Sequence, residues 1–266
     1  MSWIYENFRR IADKRPLVHH ITNWVTIYDC ANITRSFGAL PVMAYAKEEV
    51  AEMTSAASAL VLNIGTLDSE KIESMIIAGK SANKKGIPVI LDAVGVGATK
   101  FRNDKASELL ESIRISIVKG NAGEIGSLAG VKAEVRGVES ISVAKEPKVI
   151  VRDLAKRLSS IVVITGKVDF VSNGKTTYAI SNGHEMMGRV VGTGCMATSV
   201  LGCFASVEKD YLKSSAAALS CYGIVGELAA DGCEGMGTFK TRFFDSIGRL
   251  TEKVVDSRAQ VKEIPT

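Results

Sequence analysis

Short runs of apolar residues alternate with longer segments of mixed polarity over the first two thirds of the chain. We predict strands in five of these runs: PVMAYA (41–46), ALVLNI (59–64), PVILDA (88–93), ISIVKG (115–120) and IVVITG (161–166). Strands that are apolar throughout are typical of a parallel sheet covered on both faces, because their side chains are buried on both sides. The pattern therefore predicts an α/β fold with a central, mostly parallel sheet and helices on both faces.

The segments between these strands have the spacing of helices, and so has the N-terminal stretch. After residue 165 the pattern changes, and Asn173-Gly174 predicts a hairpin because this dipeptide readily adopts the positive φ of a tight turn. Three helices are expected from about Gly194, Tyr211 and Thr238. We interpret PLVHHITN (16–23) and the irregular stretch 130–147 as loops. The chain contains no internal repeat and no low-complexity linker, so we expect residues 1–266 to form a single domain.

Composition narrows the class of protein. Of the 266 residues, 46% are hydrophobic and 23% charged, which excludes disordered and collagen-like chains. The net charge of +4 is dispersed without a dense basic block, so we expect neither a nucleic-acid partner nor a membrane partner. The N-terminus lacks the apolar stretch of a signal peptide, and the five cysteines form no C-x-x-C pair. We therefore expect a cytoplasmic protein.

Polar residues follow the predicted strands at their carboxyl ends, where parallel sheets bind ligands. Asp92 ends one strand, Lys119 and Asn121 another, and Thr165 a third. Together with Glu124, Asp92 suits a hydrated Mg²⁺ beside phosphates, because this ion prefers oxygen ligands. Alternatively, either carboxylate is a helix cap or a solvated loop charge, and capping is favoured for each residue taken alone. A lysine at a strand end is usually only solvated.

The segment VVGTGCMAT (190–198) precedes a predicted helix. Gly192 and Gly194 allow the backbone to approach a ligand closely, and the first N–H groups of the helix attract anions. The alternative is a glycine turn that only starts the helix. Cys195 lies in the first turn, where the pKa of a thiol is lowered and the thiolate is more accessible. Alternatively, Cys195 is a buried cysteine that packs as a small apolar residue.

Two further candidates lie earlier in the chain. Asn23 is either a helix cap or a substrate contact, and Met43 is either a core residue or the apolar wall of a small-molecule pocket. His19 and His20 have no third histidine or cysteine at ligand spacing, so we do not expect them to bind a metal ion.

In seven segments the chain resembles the hydroxyethylthiazole kinases, a family of the ribokinase-like superfamily. These segments follow the order of the family from about residue 16 to residue 207: PLVHHITN, ALPVMAYAKEEVAEM, LVLNIGTL, VILDAVGVGATKFR, VKGNAGEI, VVITGKVDFVS and GHEMMGRVVGTGCMAT. The resemblance implies a ribokinase-like fold and phosphorylation of 4-methyl-5-(2-hydroxyethyl)thiazole by ATP and Mg²⁺ in thiamine salvage. It also implies a homotrimer with its sites at the subunit interfaces.

Taken with the resemblance, each candidate has a role. The substrate-binding residues are Asn23, Met43 and Gly192. The ATP-binding residues are Lys119, Asn121, Thr165 and Gly194. The metal-binding residues are Asp92 and Glu124, the latter closing the N-x-x-E motif. Cys195 is the catalytic residue beside the substrate hydroxyl, at the position where most ribokinase-like enzymes have an aspartate base.

Two alternatives remain at this point. One is another small-alcohol kinase of the same superfamily, acting on hydroxymethylpyrimidine or a sugar. The cysteine of GTGC and the PVMA segment favour the thiazole. The other is a thiazole or nucleotide sensor without catalytic activity, because a fold does not fix a function. The presence of Asp92, Lys119, Glu124 and Cys195 favours an enzyme.

Overall fold

The computed structural model describes residues 2–131, 133–136, 139–143 and 145–265. The strands in chain order are β1 Leu17–Ile21, β2 Leu40–Val42, β3 Ala59–Asn63, β4 Val89–Asp92, β5 Ile117–Asn121, β6 Ala133–Arg136, β7 Glu139–Val143, β8 Ile161–Thr165, β9 Asp169–Ser172, β10 Thr177–Ile180 and β11 Val261–Ile264. The α-helices are α1 Trp3–Lys14, α2 Ile27–Ser36, α3 Val50–Ala56, α4 Ser69–Lys85, α5 Lys100–Ser112, α6 Ala122–Leu128, α7 Pro147–Leu158, α8 Thr193–Ala205, α9 Tyr211–Ala230, α10 Met236–Ile247 and α11 Glu252–Arg258. A 3₁₀-helix covers Glu185–Arg189.

Nine strands form the central sheet in the order β2-β1-β3-β4-β5-β8-β9-β10-β11. The six neighbouring strands β2, β1, β3, β4, β5 and β8 pair in parallel. The strands β9, β10 and β11 add an antiparallel edge. The prediction of a mostly parallel sheet is therefore confirmed, and so is the hairpin around Asn173-Gly174, which joins β9 to β10.

Helices cover both faces of this sheet, as predicted. Alternate residues of β3 show the division: Val61 belongs to an apolar cluster with α8 and α9, whereas Leu60 and Leu62 belong to a second cluster with α4, α5 and α7. Helix α8 packs closely on the sheet, because a Cβ atom added to its Gly202 would lie 2.6 Å from Cγ2 of Val61. The absence of a side chain there lets the helix approach the strands, and this fixes its N-terminus over their carboxyl ends.

Several predictions about single elements were wrong. PLVHHITN is not a loop, because residues 17–21 form β1, in the parallel part of the sheet between β2 and β3. Its two histidines interrupt the apolar run, yet both are buried with partners: His19 contacts the Thr54 hydroxyl and the Ala44 carbonyl, and His20 contacts the Val18 carbonyl. Because these two polar residues are buried within it, β1 was not recognised as a strand from the sequence.

Boundaries also differ from the predictions. The first predicted strand, 41–46, is shortened to β2, which ends at residue 42. The predicted loop 130–147 contains the antiparallel pair β6 and β7, while residues 132, 137, 138 and 144 lie outside the described residues. The third late helix begins at Met236 rather than Thr238, and β11 was not predicted. Among the helices of the described ranges, none has the length and apolar character needed to cross a membrane.

Candidate active site

Three neighbouring parallel strands carry polar side chains in register, at or near their carboxyl ends. Asn63 of β3 pairs with Asp92 of β4, which pairs in turn with Lys119 of β5. All three side chains are buried. Asp92 Oδ2 accepts a hydrogen bond from Asn63 Nδ2 at 2.9 Å, and Asp92 Oδ1 forms an ion pair with Lys119 Nζ at 3.2 Å. The sheet register alone therefore assembles a buried row of polar groups at one edge.

The N-terminus of α8 is attached to this row. Thr198 Oγ1 donates to Asp92 Oδ2 at 2.6 Å, and Lys119 Nζ donates to the Gly194 carbonyl at 3.0 Å. Gly192 is the N-cap, with a φ of +99° that favours glycine. A glycine cap offers no side-chain acceptor to the first N–H groups of the helix, so those donors suit an anion.

Cys195 lies on the other side of this helix start, against Asn23. Asn23 Nδ2 donates to Cys195 Sγ at 3.3 Å and to Asn63 Oδ1 at 3.0 Å. The N–H and hydroxyl of Thr26 both donate to Asn23 Oδ1, at 3.0 and 3.1 Å. The Asn23 amide is therefore fixed in one orientation, and the sulfur of Cys195 accepts a hydrogen bond from it.

The expectation that the helix start lowers the thiol pKa of Cys195 was wrong. Burial raises the pKa of this thiol, and the nearby charge of Asp92 raises it further, while Lys119 acts in the opposite direction. Loss of hydration disfavours the thiolate, and it outweighs the opposing charge of Lys119. At neutral pH the group is a thiol whose sulfur is an acceptor.

Glu124 and Asn121 form a capping box at the start of α6. The Asn121 side chain accepts from the Glu124 N–H at 3.0 Å, and Glu124 Oε2 accepts from the Asn121 N–H at 2.7 Å. Glu124 Oε1 accepts from the Gly95 N–H, in the loop after β4, at 2.7 Å. Burial raises the pKa of Glu124 to about 7, and Asp92 raises it further, although Lys119 and the two backbone donors lower it. The capping interpretation is therefore confirmed, and it leaves the carboxylate close to the same strand ends.

A cavity of about 730 Å³ borders the first turns of α8, where Thr193, Gly194 and Ala197 line it. Its lining includes Thr165, Asp169 and Gly194, and also the large side chains of Leu219 and Tyr222. Burial raises the pKa of Asp169 to about 7, although the Gly166 N–H and Lys119 lower it. Thr165 and Gly194, both predicted to bind ATP, thus line one cavity.

The predicted substrate-binding residues lie around β1. A Cβ atom added to Gly192 would lie 3.0 Å from Cγ2 of Thr26, so this glycine packs against the segment that holds Asn23. Met43 follows β2, the neighbour of β1, and the adjoining Ala44 carbonyl is bonded to His19 Nε2 at 2.7 Å. This contact ties the Met43 loop to the strand that leads to Asn23.

Five of the ten candidates lie in one hydrogen-bonded network, which also runs through Asn63: Cys195, Asn23, Asp92, Lys119 and Gly194. Thr165 belongs to the cavity, Asn121 and Glu124 form the adjoining cap, and Met43 lies beyond β2. Asn63, Thr198 and Asp169 also belong to this region, and none of them was predicted from the sequence. Asn63 ends an apolar strand in the same way as Asp92 does, so the signal that identified Asp92 applied to it as well.

The chain is similar to known proteins over nearly its whole length. The model of the hydroxyethylthiazole kinase family matches residues 8–253. A hydroxyethylthiazole kinase of Methanosarcina mazei is 55% identical over 256 residues, which are 96% of this chain and 98% of the relative. The solved structure of the hydroxyethylthiazole kinase protein from Pyrococcus horikoshii OT3 is 40% identical, covers 100% of both chains and gives a TM-score of 0.91.

A more distant structure bears on the fold alone. A ribokinase-like superfamily protein from Enterococcus faecalis V583 is 13% identical, with a TM-score of 0.66 over 95% of this chain and 89% of its own. The sheet and its helices are therefore ribokinase-like, and on the family match and the 55% identity the chain belongs to the hydroxyethylthiazole kinase family.

Proposed function

We propose that the protein transfers a phosphoryl group from ATP to the hydroxyl of 4-methyl-5-(2-hydroxyethyl)thiazole, as a step in thiamine salvage. The observation that carries this proposal is the start of α8, where the cavity and the Asn23 side chain contact the same helical turn. The large cavity reaches Gly194, and Asn23 contacts Cys195. A phosphoryl group that enters from the cavity and an alcohol beside Cys195 would meet at this helix N-terminus.

The cavity suits a nucleotide in size and lining. Its volume of about 730 Å³ lies within the usual range of small-molecule sites. Leu219 and Tyr222 provide an apolar wall for a planar base, while Thr165 and Gly194 provide hydroxyl and backbone donors for phosphates. Lys119, whose Nζ contacts the Gly194 carbonyl, places a positive charge next to the phosphate end. Burial alone would lower the pKa of Lys119, but Asp92 and Glu124 raise it, so the charge is retained.

Asp92 and Glu124 have the donor chemistry that Mg²⁺ prefers. Each carboxylate oxygen has two lone pairs, and the hydrogen bonds described above leave some of them available on both residues. Mg²⁺ usually keeps several waters and binds through one or two carboxylates together with substrate phosphates. These two residues would therefore hold a hydrated ion, which would neutralise phosphate charge during transfer.

The remaining chemistry belongs to the residues at the helix start. The N–H groups of the first turn of α8 and the ammonium of Lys119 stabilise negative charge on the transferring group. Asn23, Met43 and Gly192 bind the thiazole alcohol, and Cys195 lies beside its hydroxyl and receives or orients its proton. Phosphoryl transfer depends mainly on positioning and electrostatics, so a weak base suffices.

We further propose that the chain folds as a single domain, that the protein is cytoplasmic, and that it forms homotrimers with active sites at the subunit interfaces. The trimer follows from the family resemblance. It is supported by large apolar side chains exposed near the substrate side, among them Trp24 (50% exposed), Tyr28 (77%), Tyr45 (49%) and Val191 (73%). The cytoplasmic location is supported by five cysteines that are all free.

A panel of alcohols tests the assignment of the substrate. Purified protein is incubated with ATP, Mg²⁺ and the thiazole alcohol, hydroxymethylpyrimidine or a sugar, and the products are identified by mass spectrometry. We expect the thiazole phosphate to form in a one-to-one ratio with ADP. Folded protein that phosphorylates another alcohol but not the thiazole would contradict the substrate, and protein that phosphorylates none would contradict the activity.

A further inference from the structure

Asn63 connects the two sides of the proposed active site without belonging to either. It is 1% exposed at the end of β3, between Asn23 on the substrate side and Asp92 on the phosphate side. No candidate role was assigned to it from the sequence. Its importance depends on which end of its amide faces which neighbour.

The orientation of the Asn63 amide is fixed by a backbone donor. The Gly65 N–H donates to Asn63 Oδ1 at 2.9 Å, and Asn23 Nδ2 donates to the same oxygen at 3.0 Å. A flipped amide would put its NH₂ group against both of these donors. Asn63 Nδ2 therefore faces Asp92 Oδ2, to which it donates at 2.9 Å.

The orientation of Asn23 follows from that of Asn63 and from Thr26. Because the Asn23 oxygen accepts from the N–H and hydroxyl of Thr26, its NH₂ group must supply both remaining contacts. One N–H donates to Asn63 Oδ1 and the other to Cys195 Sγ. A single chain of hydrogen bonds thus runs from Asp92 through Asn63 and Asn23 to the sulfur.

This chain closes on itself through the other side of the site. Asp92 contacts Lys119 Nζ, and Lys119 Nζ contacts the carbonyl of Gly194, the residue before Cys195. The ring therefore includes a residue within two positions of the carboxyl end of each of four adjacent strands, together with the first turn of α8. Asn63 is the member that accepts toward the substrate side and donates toward the phosphate side, and this requires both ends of a carboxamide.

We propose that Asn63 is a positioning residue that couples the substrate side to the phosphate side, by holding Asn23 against Cys195 and Asp92 against Lys119. The inference rests on the proposed function, because it assigns these two sides to an alcohol and a nucleotide. Asn63 lies behind the reacting groups and acts through Asn23 and Asp92. Its removal is therefore expected to affect turnover more than the binding of either substrate.

Two substitutions at position 63 separate the two halves of this role. Asn63→Asp keeps the acceptor for Asn23 and Gly65 but replaces the donor to Asp92 by a second buried carboxylate. Asn63→Ala removes both the acceptor for Asn23 and Gly65 and the donor to Asp92. Asn103→Asp is the matched control, because Asn103 is exposed and its Oδ1 only accepts from the Gly97 N–H at 2.7 Å, which a carboxylate also does. Asn63→Ser is prepared as well, in case either of the first two variants fails to fold.

The kinetic test compares kcat and KM for ATP and the thiazole alcohol in folded variants of full-length protein. We expect kcat to fall tenfold or more at position 63, with both KM values within threefold of wild type and Asn103→Asp unchanged. Wild-type kcat in a folded position-63 variant would overturn the inference, as would a loss confined to KM.

A second readout does not depend on turnover. The rate of Cys195 alkylation by iodoacetamide is followed by peptide mass spectrometry between pH 6 and pH 10. In Asn63→Ala and Asn63→Ser the Asn23 Oδ1 still accepts from Thr26, but Nδ2 loses one of its two partners. Its donation to the thiolate should weaken, so the alkylation midpoint should rise by half a pH unit or more. An unchanged midpoint would overturn the coupling and leave only a structural role. If the wild type phosphorylates no alcohol, the proposed function fails, and this titration still decides the role of Asn63.

Discussion

The role of Cys195 is tested most sharply by three substitutions at one position. Cys195→Ala removes the sulfur, Cys195→Ser keeps a small acceptor that does not ionise, and Cys195→Asp introduces a carboxylate. In the structure the sulfur accepts the Asn23 N–H at 3.3 Å, and burial followed by the charge of Asp92 raises the thiol pKa. A base at this position must therefore act from a minor thiolate population.

The size of the effect follows from this protonation state. An unperturbed thiol with a pKa of about 8.5 is roughly 3% ionised at pH 7, and the thiol of Cys195 is ionised less than that. If the thiolate is the base, kcat of the wild type rises about tenfold per pH unit from pH 6 to pH 8. General-base assistance is worth about a hundredfold or more, so Cys195→Ala should lose that factor. Leaving the Asn23 N–H without its acceptor should cost about 1 kcal/mol of stability.

The carboxylate variant should recover turnover. The start of α8 and the ammonium of Lys119 both favour a negative charge at position 195. We expect Cys195→Asp to approach wild-type activity with a flatter pH profile, and Cys195→Ser to behave like Cys195→Ala. Initial rates of thiazole phosphate formation are measured at five pH values, with thermal melts and ATP binding as controls for folding. Full activity of Cys195→Ala would remove the residue from the mechanism, and full activity of Cys195→Ser alone would restrict it to orienting the hydroxyl.

Three further predictions concern the surrounding residues. Asp92→Asn and Glu124→Gln should each raise the Mg²⁺ concentration needed for half-maximal turnover tenfold or more, because each removes a negative charge beside the ion; wild-type Mg²⁺ dependence in both would restrict them to structural roles. Gly192→Ala should raise KM for the thiazole alcohol and lower the melting temperature. The reason is that φ at this position is +99° and the new Cβ would lie 3.0 Å from Cγ2 of Thr26. Unchanged KM and melting temperature would refute this packing. The pKa of Asp169 is raised from an ordinary 3.8 to about 7, so the folded protein holds this proton at pH values at which the unfolded chain has lost it. The stabilisation from the protonated Asp169 is therefore lost as pH rises from about 4 to 7. Urea unfolding at pH 5 and pH 7.5 should show a smaller pH dependence in Asp169→Asn, and equal dependence in both proteins would contradict the raised pKa.

Much of the fold was predictable because its strands are buried on both faces. Runs such as ALVLNI and PVILDA have no polar face, and only a covered parallel sheet accommodates them. The polar residues that end these runs then identify one edge of the sheet. Asp92 and Lys119 were found in this way, and their register partner Asn63 has the same signature.

The rest depended on tertiary contacts that a linear pattern does not contain. β1 was missed because its two histidines look solvated in sequence, whereas in the fold they have the Thr54 hydroxyl and backbone carbonyls as partners. The thiol pKa of Cys195 was predicted in the wrong direction because the helix start is visible in sequence but the burial is not. The hydrogen-bonded ring through Asn63 joins residues more than 100 positions apart, so only the folded chain reveals it.

A crystal structure of the protein with a non-hydrolysable ATP analogue, Mg²⁺ and the thiazole alcohol would test the central claim most directly. We predict the base and ribose in the cavity beside Leu219 and Tyr222, with the terminal phosphate at the N–H groups of the first turn of α8. The alcohol oxygen should lie between that phosphate and the sulfur of Cys195. A nucleotide bound outside this cavity, or an alcohol oxygen remote from Cys195, would contradict the account.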